Sequence, residues 1–299
     1  MNGDHPMLGV APEPGVSKPD PVLVANDLQR SFGGLQAVDV KHLEIQRHTV
    51  TSLIWPTGAG KTTLFNLLTG CDSPDSGEWH LNGGPLVGIA AFQVARRGMV
   101  RTFQLTRSLA RLTVMDNMLV AAKDNRGEGL WGALTGGWHA TEQANKERAN
   151  QLLSRFGLEH MVDEFAGSLS GGQRKLLEMA RALMMNPEVV MLDEPMAGVN
   201  PALTQSLLAH ITGLRDGGKT VIFVEHDMDV VHDISDWVVV MAEGAIIAEG
   251  TPDDIAANPD VIDAYLGSHH DSDFESWGDD EMDAVERATE TPAGEEDSE

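Results

Sequence analysis

A glycine-rich turn between a short strand and a helix constrains the fold of this chain more than any other feature. Residues 49–54 have the apolar character of a short buried strand, and a helix is predicted to begin at Lys61. Gly58 and Gly60 let the backbone turn so that successive N–H groups face a single anion. A strand, such a turn and a helix together form a phosphate-binding unit of an α/β fold.

The side chains that follow this turn suit a nucleotide and its metal ion. Lys61 is placed to reach the β- and γ-phosphates as a point charge, and the Thr62 hydroxyl would occupy one coordination position on Mg²⁺. Taken alone, the segment leaves open a glycine-containing turn that happens to precede Lys-Thr. The predicted nucleotide-binding segment comprises Thr57, Gly58, Ala59, Gly60, Lys61, Thr62 and Thr63.

Trp55 departs from the phosphate-loop pattern, which has glycine at this position. An indole at the start of so tight a turn leaves two interpretations open. Either the strand end holds the ring in the core, or the ring crowds the turn and impairs nucleotide binding. We favour crowding, because the phosphate-binding residues that follow are intact and the turn has little room for the ring.

An acidic pair follows a second apolar run. Residues 189–192 are continuously apolar, as in a parallel strand that is buried on both faces, and Asp193 and Glu194 lie at its carboxyl end. Ligands bind at that edge of open α/β sheets. Asp193 is therefore a candidate magnesium ligand, and Glu194 is a candidate to orient or deprotonate the attacking water. The alternative is a pair of acids in a solvated turn.

The sequence Leu169-Ser170-Gly171-Gly172-Gln173 opens a helix that ends before Pro187. Ser170 occupies the position of an N-cap, and one interpretation is that this serine and its glycines only cap the helix. A helix N-terminus also suits an anion, because its first N–H groups are unpaired and its dipole end is positive. The candidate phosphate-binding residues here are Ser170, Gly171, Gly172 and Gln173.

Taken in order, the glycine-rich turn, Gln104, the Leu-Ser-Gly-Gly-Gln sequence, the acidic pair and His226 resemble the ATP-binding cassette (ABC) transporter ATPases. The resemblance covers residues 21–267. It implies a P-loop NTPase fold of the α/β class, with a mainly parallel core sheet, an antiparallel β subdomain and a helical subdomain at about residues 105–165. Details that look like branched-chain amino acid importer ATPases lie in residues 31–38, 101–104, 197–201, 224–228 and 258–267.

The resemblance also implies roles for individual residues. Phe32 matches the aromatic residue that stacks on adenine, Gln104 matches the glutamine that senses the membrane partner, and His226 matches the histidine that contacts the γ-phosphate. The signature, residues 170–173, would bind the γ-phosphate held by another subunit, so the chain is expected to dimerise. The implied magnesium ligands are Thr62, Gln104 and Asp193, and the implied catalytic residues are Glu194 and His226.

The function implied by the resemblance is ATP hydrolysis, with ATP and Mg²⁺ as cofactors, to power import of branched-chain amino acids. The implied partners are two membrane permease subunits, a second ATPase subunit of the same or a different kind, and an external solute-binding protein. The subunit would lie peripherally on the cytoplasmic face of the cell membrane. Three alternatives stay open: import of urea or short amides, a soluble mechanical ATPase, and a nucleotide-binding subunit of low turnover because of Trp55.

The remaining periodicity predicts helices over residues 115–123 and 142–156. Strands at 237–242 and 245–248, joined by Glu243-Gly244, are predicted to form a hairpin. Short helices are then expected to complete the cassette near Leu266.

Composition agrees with one cassette at residues 21–267 and two extensions. No stretch of the 299 residues approaches the roughly 20 apolar residues of a membrane-spanning helix, so the pore is expected to belong to another chain. Residues 1–20 are rich in Pro and Gly and are predicted to be a flexible leader, and residues 268–299 are predicted to be a disordered acidic tail. The single cysteine, Cys71, excludes an internal disulfide and fits the cytosol.

The net charge is −25, from 46 acidic and 21 basic residues, so no nucleic-acid partner is expected. The tail holds thirteen acidic residues against Arg287 alone, a net charge of −12, and the other −13 is spread over residues 1–267. An acidic body with few lysines is typical of a protein from a high-salt cytoplasm, where screening weakens self-repulsion. We therefore predict a halophilic source.

Overall fold

The computed structural model describes residues 7, 9–55, 60–102, 109–122 and 138–268. Among these residues, six strands form the larger of two sheets: β3 (Val50–Ile54), β6 (Met99–Arg101), β7 (Val189–Asp193), β8 (Thr220–Val224), β9 (Trp237–Ala242) and β10 (Ala245–Gly250). Their order across the sheet is β10-β9-β3-β8-β7-β6. The strands from β9 to β6 are parallel to their neighbours, and β10 is antiparallel to β9. The predicted hairpin and mainly parallel core are confirmed.

The central strands β3, β7 and β8 are buried along their whole length. Alternate residues of β7 face two separate hydrophobic clusters: Val190 and Leu192 belong to one, and Val189 and Met191 belong to the other. A continuous apolar run is therefore required, because neither face of this strand meets water. The prediction of a strand buried on both faces at residues 189–192 is confirmed.

The smaller sheet is antiparallel, with strands β1 (Pro21–Phe32), β2 (Leu35–Gln46), β4 (Ser76–Leu81) and β5 (Gly84–Pro85) in the order β2-β1-β4-β5. Gly33 and Gly34 connect β1 to β2 with φ angles of 53° and 90°, which glycine adopts without strain. The two sheets are joined where the Asp39 N–H donates to the Gly244 carbonyl at 2.7 Å. This sheet is the predicted antiparallel β region.

The described helices are α1 (Lys61–Leu68), α2 (Ala91–Arg96), α3 (Val114–Val120), α4 (Trp138–Arg155), α5 (Gly171–Met184), α6 (Pro201–Asp216), α7 (Met228–Ile234), α8 (Pro252–Ala256) and α9 (Pro259–Ser268). Helices α3, α4 and α5 share one hydrophobic cluster, to which they contribute Met118, Leu153 and Leu177 respectively. None of the described helices has the length and apolar character of a membrane span.

Part of the N-terminal segment packs against both sheets. The Lys18 ammonium donates to Oε2 of Glu249 in β10 at 2.7 Å, and the Lys18 backbone N–H donates to Oε2 of Glu44 in β2 at 2.6 Å. Met7 is also buried. The flexible leader stays a prediction for residues 1–20 as a whole, although buried carboxylates hold Lys18 in place. The predicted acidic tail lies outside the described residues, apart from Ser268.

Candidate active site

Charged side chains meet at the carboxyl edge of the parallel strands. Arg101 ends β6, Asp193 ends β7, and Glu194 follows Asp193 directly. Lys61 begins α1, beyond the end of β3. Neighbouring parallel strands end at the same edge of a sheet, so the fold brings together residues that lie far apart in sequence.

Lys61 and Glu194 form an ion pair in which the ammonium donates to Oε1 of the carboxylate. Their side chains are 19% and 12% exposed, so the pair is partly accessible to water. Burial lowers the pKa of Lys61, and the Asp193 and Glu225 carboxylates oppose this effect. A phosphate group that enters the site would compete with Glu194 for the ammonium, which is the contact expected of a phosphate-loop lysine.

Asp193 is held by Arg101. Nη2 of Arg101 donates to Oδ2 of Asp193 at 2.6 Å, and Nη1 donates to Oδ1 of Asn66 in α1 at 2.7 Å. The Arg101 guanidinium also lies 5.1 Å from the centroid of the Phe65 ring. The Arg101 and Asp193 side chains are only 6% and 5% exposed. The arginine thus ties the end of β6, the end of β7 and the first helix into one unit.

The donor atoms at this edge fit magnesium in the company of a nucleotide. Protein sites of this kind give Mg²⁺ one or two side-chain oxygens, and phosphate and water oxygens complete the octahedron. Asp193 supplies a carboxylate, and Thr62 lies in the first turn of α1 with Thr63 beside it. Within the described ranges, no group of three or more His, Cys, Asp or Glu side chains could hold a metal ion. The predicted residues Thr57, Gly58, Ala59 and Gln104 lie outside the described residues.

Gly60 joins this edge to the smaller sheet. It has a φ of 100°, and a Cβ at this position would overlap the carbonyl of Ala37 in β2, so only glycine fits. Phe32 lies in the same β1–β2 hairpin and is 48% exposed, with the Arg30 guanidinium 4.7 Å from its ring centroid. The ring is open to a ligand, and its contact with adenine stays a prediction.

Trp55 lies in the core. Its side chain is 7% exposed and belongs to a hydrophobic cluster that also contains Leu53, Leu64 and Val239. Its indole Nε1 is buried and has no hydrogen-bond partner among the described residues. Our favoured interpretation, a ring that crowds the turn, is therefore replaced by the other one: the strand end holds the ring in the core.

Glu225 and His226 follow β8 and differ in burial. His226 has a side chain that is 73% exposed, and its Nδ1 lies 3.7 Å from Oε2 of Glu225. Glu225 is buried, and its Oε1 accepts a hydrogen bond from the Met196 N–H at 2.9 Å. Burial raises the pKa of Glu225, against the opposing effect of the Met196 N–H. His226 thus stays accessible to a ligand, as its predicted role requires, and Glu225 anchors the segment after Glu194.

The signature residues form a capping box at the start of α5. Oγ of Ser170 accepts from the Gln173 N–H at 3.2 Å, and Oε1 of Gln173 accepts from the Ser170 N–H at 2.9 Å. Gly171 borders open space, whereas a Cβ at Gly172 would overlap the side chain of Leu203 in α6. The predicted N-cap is confirmed, and phosphate binding at this helix end stays a prediction.

Sequence reasoning assigned no role to Arg101, Lys175 and Glu225. A signal was present for Glu225, because it lies at the carboxyl end of the apolar run 221–224, as the other site residues follow such runs; Arg101 follows only Met99 and Val100. Lys175 gave no such signal, since a lysine near the start of a helix is ordinarily solvated. Its contacts depend on tertiary packing.

Two family models match the sequence. Residues 38–197 match the model described as ABC transporter, which covers more than half of the chain. Residues 245–271 match the model described as branched-chain amino acid ATP-binding cassette transporter.

Named relatives and a solved structure are similar to most of the chain. The high-affinity branched-chain amino acid transport ATP-binding protein BraF of Pseudomonas aeruginosa is 42% identical over 250 residues, which are 83% of this chain and 98% of that protein. The probable branched-chain amino acid transport ATP-binding protein LivG of Archaeoglobus fulgidus is 37% identical over 254 residues, 85% and 98% of the two chains. A solved nucleotide-free ATP-binding cassette from an ABC transporter gives a TM-score of 0.72 at 34% identity and covers 82% of this chain and 98% of its own.

Proposed function

Because this chain belongs to the ABC transporter family, we propose that it is the ATP-hydrolysing subunit that powers import of branched-chain amino acids through a membrane permease. The observation that carries the ATPase assignment is the meeting of Lys61, Asp193 and Glu194 at one edge of the sheet. The transport class is supported by the names of the relatives and by the match at residues 245–271.

Binding of ATP would exchange the partner of Lys61. The ammonium donates to Glu194 in the structure, and the β- and γ-phosphates together offer it more negative charge than one carboxylate does. Thr62 and Asp193 would hold Mg²⁺, with Gln104 as a third ligand, and the metal would neutralise charge that develops on the phosphates. Arg101 keeps the Asp193 carboxylate in place through its second contact with Asn66.

The same exchange would release Glu194 for catalysis. Once Lys61 donates to phosphate, the Glu194 carboxylate is free of that contact and can orient the attacking water or accept its proton. His226 is accessible beside Glu225 and would contact the γ-phosphate. When ATP binds, Lys61 would therefore contact the phosphates and Glu194 would lose its contact with Lys61. Hydrolysis would then depend on whether nucleotide is bound.

The signature would complete the site of a second subunit. Ser170, Gly171, Gly172 and Gln173 form a helix N-terminus at which Ser170 and Gly171 are exposed, and its N–H groups and dipole suit the γ-phosphate held by a partner chain. Two ATP molecules would close the dimer, and hydrolysis would reopen it. The partner is a second copy of this chain or a related ATPase subunit.

The proposed transport machinery includes further chains, as the names of the relatives as transport ATP-binding proteins imply. Two membrane permease subunits would form the path, and an external solute-binding protein would deliver the substrate. This subunit would lie on the cytoplasmic face of the membrane as a peripheral component. The net charge of −25 supports the further proposal that the protein works in a high-salt cytoplasm.

Reconstitution tests the proposal. The chain is purified with candidate permeases and a candidate solute-binding protein from the same organism. Uptake into proteoliposomes is measured with ATP inside the vesicles. We expect ATP-dependent uptake of leucine, isoleucine or valine, and none with the Glu194→Gln subunit. Uptake of urea or short amides instead would keep the ATPase assignment and overturn the substrate assignment.

A further inference from the structure

A lysine on the signature helix holds the segment that follows Glu194. Nζ of Lys175 donates to the carbonyls of Glu194 at 3.3 Å, Pro195 at 2.8 Å and Ala197 at 2.6 Å. An ammonium has three N–H donors, and here all three point to backbone carbonyls of one short segment. Lys175 lies two residues after Gln173, so the segment is tied to the beginning of α5.

The stability of α5 does not explain this lysine. A cation in the first turns of a helix is repelled by the positive end of the helix dipole. Burial also lowers the pKa of Lys175, while the Glu225 and Glu178 carboxylates oppose this effect. A lysine ordinarily avoids both conditions by extending into water. The three carbonyls therefore account for its position.

The backbone at Glu194 needs such support. Glu194 has a φ of 46°, a left-handed conformation that is uncommon for a residue other than glycine and that persists only where surrounding contacts fix it. On the β8 side, its N–H donates to the Val224 carbonyl at 3.0 Å, and Glu225 accepts from the Met196 N–H at 2.9 Å. On the α5 side, Nζ of Lys175 donates to the Glu194 carbonyl at 3.3 Å.

The signature helix also contacts helix α6, which follows this segment in the chain. Gly172 packs so closely on Leu203, near the beginning of α6, that a Cβ would overlap the leucine side chain. Helix α5 thus contacts the segment at residues 194–197 and again at Leu203. Packed interfaces move as discrete units, so a shift of the α5 N-terminus would displace the backbone that carries the Glu194 carboxylate.

We propose that Lys175 is a positioning residue that couples the signature helix to the catalytic carboxylate of the same chain. The inference rests on the proposed function, in which residues 170–173 engage nucleotide held by the partner and Glu194 acts on nucleotide held by its own chain. Engagement of the signature at one ATP site then sets the geometry of Glu194 at the other site. The three carbonyl contacts of Lys175 thus couple the occupancy of one ATP site to the position of Glu194 at the other.

Hydrogen exchange on the single chain tests the contact itself. Lys175→Met keeps most of the aliphatic stem and removes the donors. Lys146→Met is the control, because Lys146 is a half-exposed lysine on α4 whose Nζ lies 2.8 Å from Oε1 of Glu142, away from residues 194–199. We expect amide exchange over residues 194–199 to rise about fivefold to tenfold in Lys175→Met, as loss of a hydrogen bond predicts. The control and Lys175→Arg should exchange like wild type. Unchanged exchange in Lys175→Met would overturn the proposal.

Mixed dimers test the coupling. In the first arrangement, one subunit carries Lys175→Met and the other carries Glu194→Gln. The only active Glu194 carboxylate then lies in the chain that lacks Lys175. We expect kcat to fall roughly 10- to 100-fold with little change in KM. When both substitutions lie in one chain, the active carboxylate belongs to the intact chain, and kcat should match a dimer that carries Glu194→Gln alone. Equal losses in the two arrangements, or a loss only in the second, would overturn the proposal.

Failure of the proposed function gives a different result. If the wild-type chain binds no ATP and hydrolyses none, the ATPase assignment falls, and with it the coupling of two sites. The hydrogen-exchange measurement then still decides whether Lys175 holds residues 194–199, since it needs neither nucleotide nor a dimer.

Discussion

Two Lys–Glu ion pairs, one in the N-terminal segment and one at the catalytic edge, differ in burial and in surroundings. Lys18 and Glu249 are 1% and 0% exposed, and Glu249 also accepts hydrogen bonds from Trp237 and Gly15. The pair at the catalytic edge is 19% and 12% exposed and lies where the strands of the parallel sheet end. The same two residue types therefore occupy a closed environment in one region and an open one in the other.

The difference separates a structural pair from a functional one. A buried pair whose remaining hydrogen-bonding positions are filled cannot change partners without leaving a buried charge unpaired. A pair that water can reach can exchange its partner at small cost, and a phosphate can replace the carboxylate. Burial and secondary contacts, rather than residue type, thus decide which lysine is available for chemistry.

The largest effect should follow removal of the catalytic charge at the open pair. Glu194→Gln keeps the shape of the side chain and removes the carboxylate that handles water, so hydrolysis should fall by roughly 10²- to 10⁴-fold while ATP binding persists. Size-exclusion chromatography with ATP and Mg²⁺ should then show a stable dimer. Lys61→Ala, which removes the phosphate contact, is expected to abolish binding and serves as the opposite control. A Glu194→Gln chain that stays monomeric while wild type binds ATP would contradict the two-site mechanism.

The second-largest effect should be on the free energy of unfolding when the lysine of each pair is removed. Lys18→Met leaves Glu249 as a buried charge without its ammonium, which should cost about 3–5 kcal/mol of unfolding free energy. Lys61→Met should cost less, about 1–2 kcal/mol, because water reaches part of both side chains. Burial of Lys61 disfavours its charged form, as its lowered pKa indicates. Removing the ammonium therefore removes this cost too, which offsets part of the free energy lost with the ion pair. Urea denaturation of both variants measures the difference, and equal losses would show that the open pair is also structural.

A smaller effect is expected at Trp55, which lies at the catalytic edge but is buried like the N-terminal pair. Trp55→Gly should cost about 2–4 kcal/mol: an aromatic deletion costs about 3–5 kcal/mol, and relief of the buried indole N–H offsets part of this. Trp55→Phe keeps most of the ring and removes the N–H, so its stability should match or exceed wild type. Tighter ATP binding by Trp55→Gly without loss of stability would restore the crowding interpretation and the low-turnover alternative with it.

Much of the architecture was predictable because apolar runs and turns are local signals. The strand at residues 189–192, the hairpin near Glu243-Gly244 and the N-cap at Ser170 all follow from residue type and spacing. The gathering of Lys61 and Glu194 also follows, since parallel strands share a carboxyl edge.

The rest depends on packing that local pattern does not encode. Lys18 lies in a Pro- and Gly-rich segment that resembles a flexible leader, yet a carboxylate 231 residues away fixes it. Trp55 replaces a glycine of the motif, and only the cluster around the ring shows that the core accommodates it. Lys175 is a helix-surface lysine by sequence, and its three carbonyl partners come from the turn that follows β7. The partners of buried charges are set by tertiary structure, so residue spacing in the sequence does not predict their roles.

Salt should have the smallest effect, and it distinguishes surface charge from the two pairs. Residues 1–267 carry a net charge of −13, and at 1 M salt the Debye length is about 3 Å, so repulsion between exposed carboxylates is screened. We expect 1 M KCl to stabilise the chain by about 1 kcal/mol, a rise of about 2–4 °C in Tm. The loss caused by Lys18→Met should be the same in dilute buffer and in 1 M KCl, because ions do not reach a pair that is 1% and 0% exposed. A Tm that does not respond to KCl would remove the high-salt hypothesis, and a Lys18→Met loss that shrinks with salt would show that this pair is open after all.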